Sequence, residues 1–175
     1  STGTVRLAVS GLAEDEVDEP ATFSVAAGEI LGVTGIIGSG YDSICEMVAG
    51  IRQSRSGTVV IDGAVLRAGS TAASRTAGLE IVLGDRTRAA FAERNVRENL
   101  FADCLFHSGR WPDLGGEKSR VKELIAGFDV RPKHCAELPI QSLSGGNQQK
   151  ILFARALVAK PKMLVLIDPT AGVDV

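Results

Sequence analysis

Cysteine and the aromatic residues are scarce in this chain. Its 175 residues include one tryptophan, one tyrosine and three cysteines, which are Cys45, Cys104 and Cys135. Three scattered cysteines can form neither a disulfide framework nor a cysteine-based zinc site, and they fit a reducing compartment. Free cysteines of this kind usually fill the core. The cysteine content therefore predicts no covalent cross-link and no metal ligand.

Excess charge and long apolar runs are also absent from the sequence. With 19 Lys and Arg against 21 Asp and Glu, the net charge is -2. A nucleic-acid-binding surface needs a basic excess, so we expect no nucleic acid partner. Apolar runs such as "MLVLI" fall far short of the roughly 20 residues that cross a membrane. They predict the core strands of a globular chain of about one domain.

The chain does contain strand-like and helical patterns in alternation. "VRLAVSGL" and "ATFSVAAGEILGV" predict strands, "GTVVIDGAVLRAG" predicts a hairpin at Asp62-Gly63, and a short helix is expected from Ser70 or Thr71. A polar helical stretch and a helix with Leu157 on its apolar side follow, and "MLVLI" predicts a buried strand before an acid. We predict an α/β fold with a mostly parallel core sheet, antiparallel strands near the N-terminus and a helical subdomain. It forms one domain, 1–175, with the core in 1–94 and 151–175 and a helical insert in about 95–150.

A glycine loop, "GIIGSGYD", lies between a predicted strand and a predicted helix. Its residues are Gly35, Ile36, Ile37, Gly38, Ser39, Gly40, Tyr41 and Asp42. The glycine spacing is that of a phosphate-binding P-loop, in which backbone N–H groups and a helix N-terminus surround phosphate oxygens. A tight turn with no role in phosphate binding is the alternative, because it would have similar glycines.

Tyr41 and Asp42 occupy the P-loop positions of lysine and a hydroxyl residue. A hydrogen bond to a charged group contributes about 1.5–3 kcal/mol. Losing the lysine contact would therefore weaken phosphate binding roughly 10- to 150-fold. Asp42 could offset part of this loss as a Mg²⁺ ligand. The sequence thus predicts a phosphate loop that binds ATP weakly.

The motif "LSGGNQQK", Leu143 to Lys150, leads into the predicted helix that has Leu157 on its apolar side. Ser144 is a favourable N-cap residue, and Gly145 and Gly146 allow an anion to approach the helix N-terminus. A loop that merely caps a helix is the simpler alternative.

"LSGGNQQK" resembles the signature of ATP-binding-cassette (ABC) ATPases, in the variant typical of bacterial sugar importers. The resemblance runs from "GEILGVTGIIGSG" through "DGAVL", "DRTR" and "NVRENL" to "DPTAGVDV". "GEILGVTG" and "GDRTRAA" are similar to the second, C-terminal ATPase half of ribose- or galactose-type importers. In this family two P-loop ATPase halves close head to tail, so that each ATP lies between one half's P-loop and the other half's signature.

The resemblance implies contacts to ATP held by the partner half. They would come from the signature and from the D-loop, "AGVDV", and the residues are Ser144, Gly145, Gly146, Asn147, Gln148 and Asp174. The implied partners are a second ABC ATPase half, fused or separate, and transmembrane permease subunits. The implied location is cytoplasmic, on the inner face of the cell membrane.

The same resemblance implies damage at the chain's own ATP site. Ile167 stands at the position of the aspartate that supports Mg²⁺, and Gly84 at the position of the glutamine-loop side chain. Asp168 stands at the position of the catalytic glutamate but is one methylene shorter, which impairs it. We therefore assign no metal ligand and predict that this half binds ATP weakly or in trans and hydrolyses little of it.

Other interpretations of the chain remain open. It could be a structural or regulatory pairing module that needs no nucleotide, or a competent ATPase whose metal site is rebuilt from Asp42 and Asp168. A cassette protein of DNA maintenance fits the charge and the signature variant less well. Trp111 could contact a permease subunit or pack locally. His107 and His134 do not match the family's switch histidine, so we expect ordinary loop histidines and a chain truncated after the D-loop.

Overall fold

The computed structural model describes residues 3–15, 19–36, 38–108 and 114–171, without the side chains of 103–108, 114 and 115. The chain divides into two units, Ser1–Glu80 and Ile81–Val175. Ile37, Trp111 and Asp174 lie outside the described residues, as do the side chains of Cys104 and His107. The division into a core and a helical insert stays a prediction.

A four-stranded antiparallel sheet forms the first unit, in the order β2-β1-β3-β4. Its strands are β1 (Val5–Ala13), β2 (Ala21–Ala26), β3 (Ser56–Ile61) and β4 (Ala64–Val65). In β1, Leu7 and Val9 are buried two residues apart, as the period of a strand requires. Val9 pairs with Val59 of β3.

Two local predictions in this unit are confirmed. Asp62 and Gly63 both have positive φ, 47° and 82°, and join β3 to β4 in the predicted hairpin. Helix α2 (Thr71–Thr76) follows the hairpin. Ser70 is its N-cap residue, and Ser70 Oγ accepts a hydrogen bond from the Ala73 N–H at 3.3 Å.

The strand predicted over "ATFSVAAGEILGV" is wrong in its second half. The chain turns after β2, where the Glu29 N–H donates to the Ala26 carbonyl at 3.1 Å and Gly28 has φ 75°. The residues that follow, up to Ile36, form no strand, and Ile30 is 97% exposed. This turn leads the chain away from the sheet edge, so the apolar segment has no hydrogen-bonded neighbour within the antiparallel sheet.

Helix α1 (Tyr41–Val48) packs against β1 through its apolar side. Met47 and Val48 are buried. The helix ends there because Gly50, with φ 75°, adopts a left-handed conformation.

Strand β5 (Leu79–Leu83), whose last three residues belong to the second unit, pairs with β6 (Met163–Ile167) as a two-stranded sheet. The prediction that β6 is buried is wrong, because its residues are half-buried and Leu166 is 42% exposed. Among the described strands β5 is the one neighbour of β6, which leaves the other edge of β6 uncovered.

The described residues of this unit also form four α-helices, α3 (Arg86–Ala89), α4 (Val96–Ser108), α5 (Leu114–Gly127) and α6 (Gly145–Val158). Two short 3-10 helices, Cys135–Glu137 and Ile140–Ser142, lie between α5 and α6. Helix α6 is buried on two sides. Ile151 and Ala154 join a cluster with residues of α4 and α5, whereas Leu152 and Ala156 pack with Val82 of β5. Leu157 was predicted on the apolar side but is 41% exposed, since the two buried faces leave it outward.

The sequence also predicted the burial of the cysteines and the exposure of the histidines. Cys135 is fully buried, as predicted for a core cysteine, whereas Cys45 of the first unit is only half-buried. His134 is exposed. Across the described ranges, no helix is both long enough and apolar enough to span a membrane.

Candidate functional site

The glycine loop leads directly into α1. Gly40 is the N-cap residue, with φ 80° and ψ 9°, and its carbonyl accepts the first helical hydrogen bond from the Ile44 N–H at 3.0 Å. Residues other than glycine rarely adopt this left-handed conformation. Gly38 is also left-handed, with φ 85°. The loop thus enters the helix N-terminus as the P-loop pattern predicts.

Side chains of the loop itself crowd Gly35. A Cβ added there would overlap Ser39 Oγ and would lie 3.3 Å from Tyr41 Cδ1. The loop is tied by a hydrogen bond from the Ser39 N–H to the Ile36 carbonyl, at 3.0 Å. Asp42 accepts locally, through Oδ1, from the Ser43 N–H at 3.0 Å. The side chains of Tyr41 and Asp42 therefore lie against their own loop and helix.

The signature motif begins α6. Ser144 is at the predicted N-cap position, but its side chain makes no capping hydrogen bond, so that part of the prediction is wrong. Ser144 Oγ instead accepts from Asn147 Nδ2 at 2.9 Å. Gly145 and Gly146 form the first turn, and Gln148 Nε2 donates to the Leu143 carbonyl at 2.9 Å. Ser144 itself is exposed.

A surface cleft of about 680 Å³ adjoins this helix N-terminus. Ser144, Asn147, Arg131 and Lys133 line it. Asn147 Oδ1 accepts from the Arg131 N–H at 2.9 Å, which fixes the loop before the signature. Lys133 Nζ donates to Asp129 Oδ1 at 2.7 Å, and this bond lowers the pKa of Asp129, with a further contribution from the Arg131 charge. Two cationic side chains thus lie on the rim of the cleft beside a helix N-terminus, and both pair with Asp129.

Gly84, at the end of β5, lies against the end of β6. Its N–H donates to the Ile167 carbonyl at 2.7 Å. A Cβ at Gly84 would overlap the carbonyl oxygen of Asp168 and would lie 2.9 Å from its carbonyl carbon. Asp168 is exposed and has φ 46°, a left-handed conformation. The two positions are thus in backbone contact.

Two further side-chain contacts near the end of β5 were not predicted from the sequence. Gln149 is 2% exposed, and its Nε2 donates to the Leu83 carbonyl at 3.3 Å. Arg86 Nη1 donates to the Ala171 carbonyl at 3.0 Å. Gln149 lies three and seven residues before Leu152 and Ala156, and this helical spacing could have placed it on their buried face. No sequence pattern indicated the Arg86 contact.

The described residues do not gather a metal-binding group. Among them, no cluster of three or more His, Cys, Asp and Glu side chains is placed to hold an ion. The donors that the sequence offered, Asp42 and Asp168, belong to the first and second unit respectively. Ile167 offers no ligand atom.

Sequence comparison places the chain among known proteins. The family model described as "ABC transporter" matches residues 19–171. The chain is 39% identical to the ribose import ATP-binding protein RbsA of Chromobacterium violaceum, covering 99% of this chain and 35% of the relative. It is 35% identical to the arabinose import ATP-binding protein AraG of Ralstonia nicotianae, again over 99% and 35%. The chain thus spans about a third of the length of these relatives.

Solved structures give the same fold at lower identity. The dimeric post-hydrolysis state of the ATP-binding cassette MJ0796, bound to ADP and Pi, has a TM-score of 0.79 at 18% identity, over 96% of this chain and 76% of the other. Part of a transporter complex, cbiO1 of Clostridium perfringens, has a TM-score of 0.76 at 22% identity, over 98% and 68%. These structures confirm the predicted α/β fold of an ABC ATPase. Because the family model matches residues 19–171, which is most of this chain, the chain belongs to the ABC transporter family as an ATPase domain.

Proposed function

We propose that this chain is a degenerate ATPase half of a sugar import transporter, corresponding to the C-terminal half. It completes the ATP site of its partner half through the signature and hydrolyses little or no ATP itself. The observation that carries the proposal is an asymmetry. The motifs offered to a partner are intact, whereas the motifs used for the chain's own ATP carry replaced side chains.

The signature has the features that binding a phosphate requires. Ser144 is exposed at the start of α6, with Gly145 and Gly146 in the first turn. A helix N-terminus presents free N–H groups and partial positive charge to an anion. Arg131 and Lys133, on the rim of the adjoining cleft, add positive charge. These features support a role for Ser144 to Gln148, with Asp174 of the D-loop, at the γ-phosphate held by the partner.

The chain's own site lacks the side chains that ATP and Mg²⁺ need. Tyr41 lies against Gly35 and supplies no positive charge, and Asp42 accepts from the Ser43 N–H in the first turn of α1. Gly84 lies on the backbone of Asp168, which leaves no room for a glutamine-loop side chain. Ile167 has no atom that could support Mg²⁺. Since phosphoryl transfer depends on positioned charge and metal, these four positions support weak ATP binding and little turnover.

The sugar and the partners come from the relatives. The similar chains are named as import ATP-binding proteins for ribose, arabinose or ribose/galactose/methyl galactoside, which favours a monosaccharide as cargo. Such an ATPase half would work with a second ATPase half and with transmembrane permease subunits on the inner face of the cell membrane. Bound ATP would supply the energy for closing the two halves. This chain's residues would position its γ-phosphate for hydrolysis at the partner's site.

Two other functions stay as alternatives. A pairing module without a nucleotide role is favoured by the crowding of Gly35, which leaves its loop little space. A competent ATPase would need Asp42 and Asp168 to hold Mg²⁺, and Asp42 is already engaged with the Ser43 N–H.

The deciding experiment replaces Ser144 by arginine in the full-length transporter protein. An arginine at this exposed N-cap position blocks the approach of phosphate to Gly145 and Gly146. We expect ATP hydrolysis at the partner's site to fall more than tenfold, while the melting temperature stays unchanged. Ser142→Arg, on the same cleft but outside the signature, is the matched control. Unchanged hydrolysis in Ser144→Arg would favour the pairing module.

A calorimetric titration of ATP into this chain, with and without Mg²⁺, tests its own site. The proposal expects no binding below about 1 mM, because a lost lysine contact weakens affinity roughly 10- to 150-fold. Micromolar binding that depends on Mg²⁺ would support the competent ATPase instead.

A further inference from the structure

The short segment between β5 and α3 contacts both elements that face a partner half. On one side, the Leu83 carbonyl accepts from the buried side chain of Gln149, in the second turn of α6. On the other side, Arg86 Nη1 donates to the Ala171 carbonyl at 3.0 Å. Ala171 is the first residue of the D-loop. One segment of four residues, Leu83 to Arg86, therefore contacts both the signature helix and Ala171.

The contact on the D-loop side is close and formed by backbone. The Gly84 N–H donates to the Ile167 carbonyl at 2.7 Å, and a Cβ at Gly84 would overlap the Asp168 carbonyl oxygen. That same oxygen accepts from the Ala171 N–H at 3.0 Å, which closes the turn after β6. The turn is thus held from two sides, by Gly84 at its start and by Arg86 at its end.

Helix α3 keeps Arg86 in place. Asp85 is its N-cap residue and accepts from the Thr87 N–H at 3.0 Å and from Thr87 Oγ1 at 2.7 Å. At the other end, Arg155 of α6 donates through Nη2 to the Ala89 carbonyl at 2.8 Å. The helix that carries Arg86 is therefore itself bonded to the signature helix.

From these contacts we infer that Arg86 is a positioning residue, which holds Ala171, the first residue of the D-loop, at a fixed place relative to α6. The inference rests on the proposed function, because it matters only if signature and D-loop together meet the partner's ATP. An arginine suits this task, since its guanidinium is always charged and its donors are arranged in a rigid plane. Because Gly84 has no side chain, the end of β5 can approach the turn after β6 closely.

The first test measures hydrogen–deuterium exchange in the full-length protein. The amide to follow is that of Ala171, in peptides that cover Asp168 to Ala171. Arg86→Ala removes the donor to the Ala171 carbonyl, so the turn that the Ala171 N–H closes onto Asp168 should open more often. The exchange rate of the Ala171 amide should therefore rise about two- to tenfold, as expected for the loss of one modest hydrogen bond. Arg86→Lys keeps a charged donor and should restore part of the protection. Arg120→Ala removes a charge from α5, where Arg120 pairs with Glu123, and should change nothing. Unchanged exchange in Arg86→Ala overturns the inference.

The second test measures steady-state ATP hydrolysis by the same variants, with Ser144→Arg alongside. Arg86→Ala should lower kcat about two- to tenfold and leave KM for ATP unchanged, since a displaced D-loop affects the reaction more than ATP capture. If Ser144→Arg abolishes hydrolysis while Arg86→Ala changes neither kcat nor exchange, the role of Arg86 is wrong and the proposed function stands. If Ser144→Arg leaves hydrolysis intact, the proposed function is wrong, and the role of Arg86 at the partner's site falls with it.

Discussion

The side-chain amide of Gln149 donates a hydrogen bond to the main-chain carbonyl of Leu83, with 3.3 Å between Nε2 and the oxygen. Gln149 is buried, and its Oε1 has no hydrogen-bond partner among the described residues. The contact links the second turn of the signature helix to the end of β5. It is a buried polar contact between otherwise apolar faces, and Leu152 and Ala156 pack beside it.

Gln149→Leu should destabilise the chain by about 1 kcal/mol, because the Leu83 carbonyl loses its donor while the removal of the unpartnered Gln149 Oε1 offsets part of that loss. Urea unfolding followed by circular dichroism measures this change. Gln141→Leu, at an exposed position just before the signature, is the control and should stay within about 0.5 kcal/mol. Equal stabilities for the two variants would show that the Leu83 carbonyl does not depend on Gln149.

Gly84→Ala should destabilise the second unit by about 1–3 kcal/mol, since the added Cβ would overlap the Asp168 carbonyl oxygen and force the strand ends apart. Gly116→Ala is the matched control. Gly116 lies in α5 with open space around its Cβ position, so alanine there should stabilise by about 0.5–1 kcal/mol. Opposite signs are expected in thermal unfolding. A stabilising Gly84→Ala would contradict the close approach of β5 and β6.

Arg97→Ala should cost stability in the helical part of the second unit. Arg97 Nη1 lies 2.9 Å from Oε1 of Glu117, whose side chain is 1% exposed, and this bond raises the pKa of Arg97 above its ordinary value. Removing the arginine leaves a buried carboxylate without its partner. We expect about 2–4 kcal/mol, less than the roughly 3–5 of a fully buried pair, because the Arg97 side chain is 25% exposed.

Arg94→Ala serves as the comparison for this ion pair. Its partner is Glu98, at 3.5 Å, and the Arg94 side chain is 66% exposed. Such surface pairs contribute at most about 1 kcal/mol. Similar losses for both arginines in urea unfolding would mean that Glu117 is not held as the structure describes.

The Thr87 amide should report the titration of Asp85. The hydrogen bond from the Thr87 hydroxyl is the largest cause that lowers the pKa of Asp85 below its ordinary value of 3.8, and the bond from the Thr87 N–H is the second. A lowered pKa means that the unfolded carboxyl takes up the proton first. The cap therefore stabilises the fold above the unfolded pKa, and this contribution is lost as pH falls through the folded value.

A pH titration of the Thr87 amide by nuclear magnetic resonance should thus have its midpoint below 3.8. Thr87→Val removes the hydroxyl donor and should move the midpoint upward. A midpoint at or above the ordinary value in the unaltered chain would show that Thr87 does not cap through Asp85.

Restoring the P-loop side chains tests the interpretation of the glycine loop. Tyr41→Lys combined with Asp42→Thr should improve ATP binding roughly 10- to 150-fold, because a charged donor returns and a repelling carboxylate leaves. The proposed function expects little or no hydrolysis in this variant, since Ile167 and Gly84 are unchanged. The measurement is calorimetric binding beside a phosphate-release assay. Tyr41→Phe is the control and should bind no better than the unaltered chain.

Several local elements could be predicted from neighbouring residues alone. The Asp62-Gly63 turn and the Ser70 cap each depend on the conformations of two to four adjacent residues, and both were found as predicted. The start of α6 at Gly145 and the entry of the glycine loop into α1 followed likewise from glycine and serine placement. Where a short stretch closes its own hydrogen bonds, the sequence contains the needed information.

The sequence by itself determined the α/β fold class and the family, because motif order and spacing carry both. Tertiary structure decided which apolar segments find partners. "GEILGV" has the composition of a strand, yet the turn at Gly28 leads it away from the antiparallel sheet. Only folding brought Gln149 to Leu83 and Arg86 to Ala171, which are 66 and 85 residues apart. Such contacts depend on where two distant backbones meet, and no local pattern of residues encodes that meeting.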